Sequence, residues 1–218
     1  MLTLHRARLL FTGTGTAGDG TAGDGALEGG TLADGAVLVD GARVAAIGPF
    51  GELAGGPAGG SARVREWPGV LVPGLLNRHG TWLLETAYHP DPREGIGDRP
   101  LLPERELTDE QRGGSARRGL QRLLAHGATA LAGPLHRPAV RTALARSGLR
   151  HLPGPDAGPG PLDPLDGREL AEAVHRPLAV GAAADFAVFA AGTVEELAGG
   201  GADCLATVLD GRLLYRRR

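Results

Sequence analysis

His79, Glu85, His89 and Asp91 lie within one short stretch and carry the imidazole and carboxylate groups from which a metal site or an acid–base pair is built. Such nitrogen and oxygen donors hold zinc or iron, and the same groups move protons near neutral pH. His79 is therefore the candidate ligand of a divalent metal, zinc or iron, with Glu85, His89 and Asp91 as candidate catalytic groups beside it. A catalytic zinc wants three protein ligands, and the spacing of these four follows no ligand rule. A solvated, proline-bearing loop explains Glu85, His89 and Asp91 equally well. His126, His136 and His151 fall beside predicted helices or in a Gly/Pro loop, where surface and helix-end roles suffice.

The element that must position these groups is the run GVLVPGLLNRHGTWLLETAYHPD, residues 69–91. Val70-Leu71-Val72 reads as a buried strand. It breaks at Pro73-Gly74, resumes briefly, and delivers Asn77, Arg78 and His79 to its carboxyl end, where α/β sheets place their sites. The stretch PGLLNRH resembles the first barrel strand of the amidohydrolase superfamily. It is most similar to the imidazolonepropionase, aminodeoxyfutalosine deaminase-like and nucleoside or cytosine deaminase branches. The resemblance implies a His-x-His pair at this point, because residues i and i+2 of a strand share a face and can grip one metal ion. His79 takes the first place, but the second is Thr81, whose hydroxyl is a poor ligand for zinc or ferrous iron. The family reaction is metal-dependent hydrolysis of a non-peptide carbon–nitrogen bond in a cyclic amide, amidine or nucleobase-like substrate, with a metal-bound water as nucleophile. The two distal histidines and the aspartate of the family pattern have no counterparts here, so the expected activity is weakened or lost. The alternative is a non-catalytic ligand-binding or protein-interaction module of amidohydrolase descent.

The flanking sequence predicts how this stretch is held. Residues 2–11 read as a strand in an exposed sheet. The following GTGTAGDGTAGDGALEGG repeats TAGDG, and although Gly13, Gly15 and Gly18 fit G-x-G-x-x-G, no helix pattern follows, which favours a loop over a nucleotide site. AVLVDGARVAAIG and ATVLDGRLLYRR predict two hairpins with type I′ turns at Asp40-Gly41 and Asp210-Gly211. An isolated hairpin is marginal in water, so the two are expected to share one sheet system and bring the termini together. The resemblance implies the same: a small β-sandwich built from both ends, with a barrel between them. Residues 180–189 look like the family's VGxxADLVV re-entry strand, with Asp185 as a turn or capping residue.

Between the ends, Thr108 and Gln111 have capping-box spacing, Gly113-Gly114 is expected to interrupt, and a firm helix covers Ser115 to Leu124 with Gly127 at C′. A strand at 128–132, a helix opened by Pro138 and ended by Gly148, a strand at 149–152, the loop PGPDAGPGPLDP and a helix near 168–174 complete the series. The fold expected is α/β: residues 1–68 and 178–218 form the composite β-sandwich, and 69–177 a partial β/α barrel. A closed barrel needs eight βα units in roughly 250 residues, and only about 110 are available here.

Composition sets further bounds. The chain of 218 residues carries a net charge of -2, so no basic field for nucleic acid is expected. No run is apolar and long enough to predict a membrane span. Cys204 is the single cysteine, which excludes an internal disulfide and suits a reducing cytoplasm. All 23 cationic side chains are arginine, so neither a lysine Schiff base nor a carboxylated bridging lysine can form. The expected partners are a small cyclic nitrogen-containing substrate and, because an incomplete barrel leaves an open sheet, a second copy or another subunit.

Overall fold

A computed structural model describes residues 1–13, 30–97 and 99–217. The TAGDG repeat, together with Gly15 and Gly18 of the glycine motif, lies outside the described residues. Two sheets organise the rest. The first contains β1 (Leu2–Phe11), β2 (Thr31–Ala33), β3 (Gly35–Asp40), β4 (Arg43–Pro49) and β5 (Arg63–Pro73), joined by the carboxy-terminal β9 (Phe186–Phe189), β10 (Cys204–Leu209) and β11 (Arg212–Arg216). Their order is β11-β10-β9-β5-β1-β3-β4, with β2 on β1. Short helix α1 (Phe50–Gly55) follows β4. The second sheet is β6 (Leu75–Asn77), β7 (Ala128–Ala132) and β8 (Arg150–Leu152), all parallel. Its crossovers are α2 (Asp109–Ala125) and α3 (Pro138–Ser147), and the short α4 (Leu170–Ala173) precedes the return to β9. Strand β5 runs unbroken past residue 68, so one strand leads from the terminal sheet to the parallel one.

The large sheet curls back on itself, so that its β4 edge meets the segment that enters β9. Val44 N–H donates to Ala182 O at 3.0 Å, Gly181 N–H to Val44 O at 2.8 Å and Ala184 N–H to Ala42 O at 2.9 Å, which ties β4 to the segment that enters β9. Ala7, Val37, Leu71, Phe186, Val188, Ala206 and Val208 form the core inside the curl. β1 differs from the exposed strand expected, because it lies between β5 and β3 and buries Leu4, His5, Ala7 and Leu10. His5 is accommodated by accepting the Trp67 indole N–H at Nδ1, 3.2 Å, while the Phe186 ring meets it edge-on at 4.9 Å. Burial, with the Arg65 charge, lowers its pKa to about 3, so the ring is neutral.

The two hairpins do share this sheet. Asp210 (φ 46) and Gly211 (φ 69) give the type I′ pattern. The other turn falls one residue later than expected: Asp40 stays in β3 opposite Arg43, and only Gly41 (φ 57) has positive φ, the II′ pattern. The tips touch. Gly211 N–H donates to Ala184 O at 3.0 Å, and a side chain on Gly211 would collide with the Gly41 carbonyl.

The parallel sheet follows the predicted series with one correction: α2 is continuous through Gly113-Gly114. Each glycine costs a helix about 1 kcal/mol, whereas each buried leucine contributes about 1.5–3 kcal/mol. Leu120, Leu123 and Leu124 bury against Leu83, Val140 and Leu144, so tertiary packing decides. The Thr108–Gln111 capping box starts the helix and Gly127 (φ 77) follows its end, as expected. Thr207 Oγ1 of β10 donates to Leu124 O at 2.6 Å and fixes that end to the large sheet. No helix among the described residues is long and apolar enough to cross a membrane.

Candidate functional site

The site is set by where β6 stops. The strand ends at Asn77, and the chain then turns into a helical segment whose π-helical turn covers Trp82–Thr86. Thr81 has φ -60 and ψ -54, so it is helical. His79 and Thr81 are therefore not an i, i+2 pair on a strand, and the shared face expected for two ligands does not exist.

Asn77 organises this corner, a role that its sequence position did not reveal. It is buried, its Oδ1 accepts His79 N–H at 2.8 Å, and its Nδ2 donates to Pro161 O at 3.0 Å and Leu162 O at 3.1 Å. His79 Nδ1 donates to Gly158 O at 3.0 Å, and Gly160 lies so close over the ring that any side chain there would overlap the imidazole. Thr81 Oγ1 donates to Pro134 O at 2.8 Å. The Gly/Pro loop thus folds over the carboxyl end of β6, and its carbonyls engage the polar groups that the strand delivers.

Glu85 is attached apart from His89 and Asp91, which share Arg118. Glu85 Oε1 accepts Arg137 N–H at 2.6 Å, at the start of α3. Asp91 accepts Arg93 N–H at 3.0 Å as cap of the Pro92–Glu94 turn, and meets Arg118 at 3.5 Å. His89 is fully buried: Nε2 donates to Leu83 O at 2.7 Å, the backbone N–H donates to Ser115 Oγ at 2.9 Å, and its carbonyl accepts Arg118 Nε at 2.8 Å. Burial pulls its pKa down to about 4 against the opposing bond to Leu83, and the nearby Arg122 and Arg118 charges lower it further. Arg112, also buried, donates to the carbonyls of Thr86 (3.3 Å) and Ala87 (3.1 Å) and so closes the π-helical turn. Together these bonds lock the 82–91 segment onto α2.

Among the described residues no three His, Cys, Asp or Glu side chains are grouped to hold a metal ion. The donors near His79 are its own single imidazole, whose Nδ1–H is bonded to a carbonyl, a threonine hydroxyl spent on another carbonyl, and an asparagine amide. This set does not fit zinc or iron, which take imidazole, thiolate or carboxylate.

No protein-family model matches the sequence, and no curated protein matches it. Solved structures overlap in part. A. niger ochratoxinase matches at 21% identity and a TM-score of 0.44, over 70% of this chain and 31% of that one. Helicobacter pylori aminofutalosine deaminase matches at 14% identity and 0.44, over 71% and 33%. Guanine deaminase from Bradyrhizobium japonicum matches at 19% identity and 0.44, over 70% and 34%. The chain spans about a third of the length of these structures.

Proposed function

We propose that this is an amidohydrolase-like protein in which metal-dependent hydrolysis of a cyclic carbon–nitrogen bond has been lost, leaving a non-catalytic binding module. The descent rests on PGLLNRH at the exit of the terminal sheet and on the βαβαβ order that follows it. The loss rests on one observation: among the described residues no three His, Cys, Asp or Glu side chains gather to hold a metal, and beside His79 stands Thr81, whose hydroxyl is spent on Pro134 O. A ligand histidine of this family would instead stand beside a second imidazole and further nitrogen or oxygen donors. The test is metal analysis of protein expressed with zinc, iron and manganese, with turnover measured on cyclic amides, amidines and aminopurines. Less than one equivalent of metal and no turnover are expected. Stoichiometric metal that survives dialysis and disappears in His79→Ala would overturn the reading in favour of an active hydrolase.

A further inference from the structure

Strand β5 has partners on both sides only in its second half. Val70–Pro73 pair with β9, whereas Arg63–Trp67 pair with β1 alone. Among the described residues, no backbone bond reaches the opposite edge of residues 63–68. Such an edge presents free N–H and C=O groups and is a template for another strand.

The side chains around it are arranged by the strand's alternation. Arg63, Arg65 and Trp67 share one side; Val64 and Glu66 share the other. Glu66 is held by Arg6 at 3.0 Å, so it does not neutralise the arginines across the strand. The Arg216 guanidinium lies over the Trp67 ring at 6.0 Å, which brings the end of β11 to the same place. The side chains of Arg63 and Arg65 have no hydrogen bond or ion pair to any described residue. Burial and then the charges of Arg63 and Arg216 lower the Arg65 pKa, as expected for three guanidinium groups gathered without an acid. One charge is enough to blunt an edge against aggregation. Three guanidinium groups along one edge, one of them over the indole, exceed that need, and Arg is suited to bind carboxylates in pairs.

We propose that the Arg63–Pro68 edge of β5 docks an extended acidic polypeptide as an added strand. The peptide backbone bonds the free edge, and alternate carboxylates face Arg63, Arg65 and Arg216. Pro68, which lacks an N–H, bounds the docked stretch at one end. This mode is strand addition, in which backbone bonds give affinity and alternate side chains give selectivity. It is independent of the fate of His79.

Fluorescence anisotropy of a fluorescein-labelled heptapeptide of alternating Glu and Val, added to the full chain, tests the proposal. Two competitors separate the sources of binding: the same peptide N-methylated at alternate residues, and inorganic tripolyphosphate. Saturable binding is expected, weakened at least about tenfold in Arg63→Glu/Arg65→Glu, which is about 1.4 kcal/mol. N-methylation should weaken it similarly, and Arg105→Glu/Arg117→Glu, the same charge change elsewhere, should leave it unchanged. Urea midpoints check that the variants fold, and the N-methylated peptide tests the edge on the unaltered protein. Absence of binding, equal binding of the methylated peptide, or full displacement by tripolyphosphate at matched charge would overturn the proposal.

Discussion

Gly119 faces His89 so closely that a Cβ at position 119 would stand 2.5 Å from the imidazole Nε2. The ring cannot retreat, because that nitrogen is bonded to Leu83 O and the residue is completely buried. A mid-helix Gly→Ala change ordinarily stabilises by about 1 kcal/mol. Here overpacking, worth about 1–3 kcal/mol, opposes it. Gly119→Ala is therefore expected to lower stability in urea unfolding, while Gly114→Ala, where a Cβ would meet only arginine side-chain ends at 3.5 and 3.8 Å, should raise it. A stabilised Gly119→Ala protein would show that the imidazole is not fixed.

Two buried histidines make stability depend on acid. The pKa of His89 lies near 4 and that of His5 near 3, both below the value of about 6.5 for an unfolded chain. The unfolded state thus binds more protons, so the stabilisation is complete above pH 6.5 and is lost as pH falls toward the folded values. For His89 the amount at stake is up to about 3 kcal/mol. Urea midpoints should fall steadily from about pH 7 to about pH 4.5. In NMR titrations of the folded protein, the imidazoles of His5 and His89 should remain neutral at about pH 5.

Arg150 joins the two sheets electrostatically. From β8 it donates to Asp185 Oδ2 at 3.0 Å and Oδ1 at 3.2 Å, and it also pairs with Asp210 at the β10–β11 turn. Asp185 further accepts Asp210 N–H at 2.8 Å and its side chain is nearly buried, so it would be stranded without its cation. Arg150→Ala is expected to cost about 3 kcal/mol, the lower end of the range for breaking a buried pair, because the arginine is partly exposed. Asp210→Asn should cost less than about 1 kcal/mol, since that carboxylate is 44% exposed, far more than that of Asp185, and Asn tolerates the positive φ of 46. Similar losses for both variants would place the stabilisation at Asp210 instead.

What could be read from the sequence was local. Thr108 with Gln111, Pro138, Gly148 and the Asp210-Gly211 turn each carry their structural instruction within a few residues, and each forms the element expected. The joining of the termini followed from two hairpins that neither could stabilise alone. The failures depended on distant partners. Continuity of α2 through Gly113-Gly114 rests on leucines packed against α3 and the π-helical turn. The early stop of β6 rests on Asn77 reaching carbonyls at 161 and 162, and the locking of His89 on Ser115, Arg118 and the space left by Gly119. None of these contacts leaves a pattern near the residue it governs.

The same long-range contacts predict that placing a second histidine beside His79 will not create a metal site. Thr81 is helical, packs against Gly133, where a Cβ would sit 2.6 Å from its Oγ1, and donates to Pro134 O. An imidazole at this position has no strand geometry to align it with His79, and it must displace the 133–134 backbone to fit. His79 would still be bonded to Gly158 O under Gly160. Thr81→His is therefore expected to lose about 1–3 kcal/mol through overpacking, and to bind zinc no better than the unaltered protein in a competition assay with a chromogenic chelator. A gain of stoichiometric zinc in Thr81→His, abolished by adding His79→Ala, would show that the loop yields readily and that a two-histidine zinc site is one substitution away.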